Sequence, residues 1–155
     1  MGTGDKEMAR VGDVAAYVLA KRGRMSAMKL QKVIYYCQAW SLVWDEKALF
    51  SDKIKAWANG PVVPGLYHEH KGLFEVGPEN FPTRDPDALS PSERETVDAV
   101  LGYYGDKSAQ WLIDLTHREA PWKNARGDTP IGAPSEAEIT PAAMGDYYSG
   151  LEPGA

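Results

Sequence analysis

The chain holds one cysteine, Cys37, so it can form no intrachain disulfide, which fits a reducing compartment. It has no apolar run near the roughly 18 residues that a membrane-spanning helix needs. Met1 to Arg10 are polar and charged and lack the apolar stretch of a secretion signal. These absences lead to an expectation of a cytoplasmic protein with no membrane partner. Basic residues are outnumbered: 17 Lys and Arg against 22 Asp and Glu give a net charge of -5, which argues against a general nucleic-acid binder. No Ser or Cys nucleophile motif, no phosphate-binding glycine loop and no internal repeat is present. The sequence therefore leads to no cofactor and no enzyme class.

What is present is an ordinary globular composition. A chain of 155 residues, 43% hydrophobic and 25% charged, is most simply one domain with a real core. Val11, Val14, Ala15, Val18 and Leu19 recur at helical spacing, with Gly23 placed to cap the end. Ser26 is a good N-cap for a second helix, whose apolar face is Leu30, Val33, Ile34, Cys37, Trp40 and Trp44. Tyr35 and Tyr36 cannot both lie on that face, so at least one is expected at its border or outside it. Ala48-Leu49-Phe50 and Ile54 to Ala58, separated by Ser51-Asp52-Lys53, read as a small hairpin.

Pro64 opens a short helix through about His70, and the proline-rich stretch 72–91 reads as a long loop. Ser90-Pro91-Ser92-Glu93 is a capping box that starts a helix ending near Gly105, and Ser108 caps the next. The chain should turn at Ala120-Pro121 and run as loop from Gly127 to Pro134. Thr140-Pro141 starts a last helix, with Ile139 set to pack on Met144. The expected fold is mainly α: one compact domain of about six helices with one small β-hairpin. Residues 1–10 and 150–155 are expected as flexible ends of a domain spanning 11–149.

Three segments carry candidate function. Lys29 and Lys32 share a helix face and form either a basic edge beside Tyr35 or Tyr36, or two solvated lysines. On the strand ending at Gly60-Pro61, Lys55 and Trp57 share one face while Ile54, Ala56 and Ala58 share the other. Trp57 is either a surface anchor or a ring covered by the long loop. His117 falls near a helix C-terminus, where a protonated imidazole is favoured; it caps that end, or acts as a general base oriented by Thr116 and Glu119. His68 and His70 would point apart on a helix, which argues against a metal site, and Cys37 on an apolar face should be inert.

Three segments in order along the chain resemble the Panacea domain of SocA-like antitoxins. They are Met28-Lys29-Leu30-Gln31-Lys32 with Tyr35-Tyr36; Ala56-Trp57-Ala58-Asn59-Gly60-Pro61-Val62-Val63-Pro64 with Tyr67 after it; and Leu115-Thr116-His117 with Pro121-Trp122. The resemblance covers roughly residues 11–148. It implies a mostly helical antitoxin of a bacterial or prophage toxin–antitoxin pair that neutralises its toxin by direct binding. A proteolytic adaptor that delivers the toxin to a Clp-type protease is the alternative. The resemblance brings no catalytic residues. Partner contacts are expected at Lys29, Lys32, Tyr36, Trp57, Pro61, Tyr67, His117 and Trp122. Two further readings are an enzyme using His117 and a repressor that binds nucleic acid through Arg22, Arg24, Lys29 and Lys32.

Overall fold

The computed structural model describes residues 8–82 and 84–151, and the expected flexible ends fall largely outside them. Seven α-helices and five short strands make up the described residues. Helix α1 (Val11–Arg22) leads through strand β1 (Met25–Ser26) into α2 (Ala27–Trp44), the longest element. The Ser26 hydroxyl accepts from the Lys29 backbone N–H, as the N-cap pattern requires. Every residue of α2 from Leu30 to Ser41 is buried. The reason is its position: α1, α4 (Pro91–Tyr104), α5 (Ala109–Arg118) and α7 (Pro141–Ser149) all pack around it. Such a helix has no solvent face, so Tyr35 and Tyr36 are both internal, contrary to the expectation from its apolar stripe. Trp44, placed on that stripe by spacing, is 41% exposed at the helix end and stacks on Trp40.

The hairpin lies one step later in the chain than expected. Leu49 and Phe50 are buried but not a strand: their N–H groups donate to Gln38 Oε1, at 2.8 and 3.2 Å. Gln38 Nε2 returns a bond to the Phe50 carbonyl, so one buried amide does what a partner strand would do. The hairpin is formed by β2 (Ile54–Trp57) and β3 (Gly60–Val62), with Trp57 opposite Gly60. Ile54 and Ala56 face the core while Lys55 and Trp57 lie on the other, half-buried face. Strand β5 (Glu138–Ile139) extends this sheet on the far side of β2, giving the order β3-β2-β5.

After α3 (Pro64–His70), the stretch expected as loop is pinned in two ways. Strand β4 (Glu75–Val76) pairs with β1, and a single 3₁₀ turn covers Pro78–Asn80. Val76, Phe81 and Leu89 are buried along it. The capping box on α4 forms as the sequence requires: the Ser90 hydroxyl accepts from the Glu93 N–H and Glu93 Oε1 from the Ser90 N–H.

One helix was not expected. Beyond an extended Glu119, the chain re-enters a helix, α6 (Ala120–Arg126), with Pro121 in its first turn where a missing N–H is harmless. Arg126 then donates to the carbonyls of Ala56, Pro130 and Ala133, which ties the 127–134 loop to the sheet. Ile139 and Met144 are each 1% exposed, as the staple before α7 predicts. The architecture is mainly α with minor β.

Candidate functional site

A half-open cleft of about 650 Å³ lies between the start of α2, the β2–β3 turn and α3. Gln31, Lys32, Trp57, Asn59, Tyr67 and His70 are among the residues that line it. Gln31 sets the geometry of its wall. Its Oε1 accepts from the Val63 N–H at 2.9 Å, and its Nε2 bonds the Val63 carbonyl and His70 Nε2. This side chain joins α2 to the end of the hairpin and to α3. Tyr67 stands edge-on to Trp57, with ring centroids 5.2 Å apart, and edge-on to His70 at 5.4 Å.

Lys32 is the unusual residue. It lies in the cleft wall at 1% exposure with no ion pair and no hydrogen bond to the rest of the described residues. Burial alone draws its amine down to about 7. Both readings drawn from the sequence, a basic edge and a solvated lysine, placed this amine in water. The tertiary structure covers it with Gly60. A Cβ at Gly60 would lie 2.5 Å from Lys32 Cε and 3.0 Å from Thr116 Oγ1, and its φ of +114° is a region that L side chains rarely adopt. Gly60→Ala should therefore destabilise the protein by about 1–3 kcal/mol in urea unfolding. An unchanged midpoint would show that Lys32 and the turn can shift freely.

The third segment supports this cleft from behind. Trp122 Nε1 donates to the Trp57 carbonyl at 2.9 Å, which fixes the end of β2. His117 stacks on Trp122, with centroids 3.9 Å apart and planes 10° from parallel. The ring was expected to favour its charged form at a helix end. Burial and then the Lys32 charge hold its pKa below the usual histidine range instead. Its Nε2 is buried and has no partner.

Glu119 does not orient His117. Its Oε1 accepts from the Tyr36 hydroxyl at 2.7 Å and the Tyr148 hydroxyl at 2.6 Å, and Tyr35 bonds Tyr148 at 3.0 Å. Burial raises the Glu119 pKa, which the two tyrosine bonds partly offset. Thr116 donates to the Ile113 carbonyl within its own helix. The general-base triad suggested by spacing is thus not assembled.

Of the residues expected to contact a partner, Lys32, Trp57 and Tyr67 line the cleft. Pro61, buried opposite Ala56, together with His117 and Trp122, shapes it from behind. Tyr36 is wholly internal, and Lys29 reaches away to the Gly105 carbonyl at 2.7 Å. The bases proposed for nucleic acid are not a free patch. Arg22 is paired with Asp106, Arg24 with Glu79 and Glu75, and Lys32 is buried. Reading the sequence missed His70, Asn59 and the cleft mouth, where Phe74, Leu73 and Met28 are 82%, 42% and 38% exposed. His68 points outward and His70 inward, as helical spacing predicts. Among the described residues no cluster of three His, Cys, Asp or Glu could hold a metal ion.

A cleft with a buried amine in its wall and exposed apolar side chains at its mouth is the candidate binding site of this small helical protein. The chain belongs to the SocA-like antitoxins, Panacea domain: that family's profile matches residues 30–123, more than half of the sequence. The match takes in the hairpin and His117–Trp122 segments whole and begins at Leu30 in the first. No curated protein and no solved structure matches the chain. No helix among the described residues is long and apolar enough to cross a membrane.

Proposed function

We propose that this protein is an antitoxin that neutralises a cognate toxin by binding it directly, and that the toxin seats on the mouth of the Lys32–Trp57 cleft. One observation carries the reading. The segments that carry the family resemblance, far apart in the chain, meet at one cleft: the first two contribute to its lining, Trp122 of the third braces Trp57, and the mouth exposes Phe74, Leu73 and Met28. Contiguous exposed apolar side chains beside a polar wall mark a protein-binding surface. Trp57 and Tyr67, packed on each other and half-buried, are the aromatic type that anchors such contacts.

The test is growth rescue. The product of the adjacent gene is expressed alone and with this protein, and rescue is scored together with co-purification. Phe74→Asp should abolish rescue and weaken co-purification by at least about tenfold without loss of fold, since Phe74 is exposed. Tyr103→Ala, also exposed but outside the cleft, should rescue normally. Full rescue by Phe74→Asp would move the contact elsewhere. Rescue that disappears in cells lacking the Clp-type protease would replace direct blocking with delivery for degradation.

A further inference from the structure

We infer that the Lys32 cleft is a recognition pocket for one carboxylate side chain, presented by the partner on an apolar peptide segment. This rests on the antitoxin reading and names the chemistry of the group that the toxin inserts.

An isolated ammonium in a protein interior is strongly unfavourable unless something compensates it, and nothing among the described residues does. His70 and His117, the titratable groups nearest in character, are cations when charged and disfavour the ammonium further. The one acid lining the cleft is Glu136, which is exposed and not paired with Lys32. Yet Lys32 lies in the wall of a cavity large enough for a side chain with its flanking residues. A ligand that supplies one negative charge gives the amine the partner that the fold withholds, in a desolvated place where charge-assisted bonds are strong.

The wall offers one cation, and Trp57 carries a buried indole N–H that has no acceptor. Gln31 is already bonded to Val63 and His70. The single cation of the lining matches the single charge of a carboxylate. It falls short of a phosphate group, which carries close to two charges. Met28, Leu73 and Phe74 offer apolar surface beyond the cavity, which a peptide's neighbouring side chains would cover and a free metabolite would leave bare.

The experiment uses the full chain and two probes, acetyl-Leu-Glu-Phe-amide and acetyl-Leu-Gln-Phe-amide, titrated to about 10 mM while the Trp57 indole N–H is followed by NMR. The Glu peptide should bind at least about tenfold more tightly than the Gln peptide, and Lys32→Met should erase that difference. Lys32→Met should remain folded, because it removes a buried charge and keeps an unbranched chain of similar shape. In calorimetry the Glu peptide should also take up protons on binding at about pH 8, where the free amine is largely neutral, and the variant should not. Equal binding of the two peptides, retention of the preference by Lys32→Met, or no binding would each overturn the inference. So would inorganic phosphate displacing the Glu peptide at equal concentration. The peptide result does not depend on growth rescue. Peptide recognition without rescue would sink the antitoxin reading alone, and rescue without peptide recognition would sink the pocket assignment alone.

Discussion

Between about pH 7 and pH 9 the folded state should gain about 2 kcal/mol of stability, and Lys32→Met should remove most of that gain. The unfolded lysine titrates near 10.5 and the folded one near 7, so within this window the unfolded chain holds the extra proton. Stability rises with pH wherever the unfolded state binds more protons, by about 1.4 kcal/mol per unit for a full proton. His70 and His117 act in the same direction but below this window, because their folded values are depressed beneath 6.5. Above about pH 9 the trend should reverse. Burial raises Cys37, Tyr35, Tyr36, Tyr104 and Tyr148, so the unfolded chain then loses protons first. At pH 7 the Lys32→Met protein should be more stable than the parent by on the order of 2–4 kcal/mol. Urea unfolding at closely spaced pH values measures both effects. A flat profile for the parent would mean that Lys32 is hydrated or paired in solution. A residue whose removal strengthens the fold while abolishing recognition is retained for binding, and these two readouts together separate that role from a structural one.

Trp122→Ala should destabilise the protein by about 3–5 kcal/mol, enough to unfold a marginal domain. Trp122 is 5% exposed, stacks on His117, lies 4.9 Å from the Arg126 guanidinium across its ring, and donates to the Trp57 carbonyl. Truncation would leave a cavity between α5, α6 and the sheet and free the end of β2. The measurement is the urea midpoint, with circular dichroism to confirm the transition. A loss under about 1 kcal/mol would contradict this packing. Failed rescue by Trp122→Ala therefore reports lost fold, whereas Phe74→Asp reports a lost contact.

Local signals in the sequence were strong where a backbone group needed a nearby side chain. Ser26, Ser90, Ser108 and Thr140 each cap the helix that their position announces. The hairpin was displaced because apolar runs do not say whether a second strand or a buried amide will satisfy the backbone, and here Gln38 does so for Leu49 and Phe50. Helix α6 was hidden because Pro121 reads as a stop signal, although it is also well suited to a first turn.

The sequence by itself determined the helical class, most helix starts, and the resemblance to the SocA-like antitoxins, whose profile matches residues 30–123. These are matters of neighbouring residues: caps, periodicity and motif order. Only the tertiary structure decided that α2 is enclosed on every side, so that Tyr36 serves an internal network with Glu119 and Tyr148. It also decided that Lys32 is covered by Gly60 and shares a cleft with His70, in the same chain that sends Lys29 to the surface of α4. Two lysines three positions apart look alike in sequence. Their charges differ in environment because burial depends on what packs against a helix from distant parts of the chain.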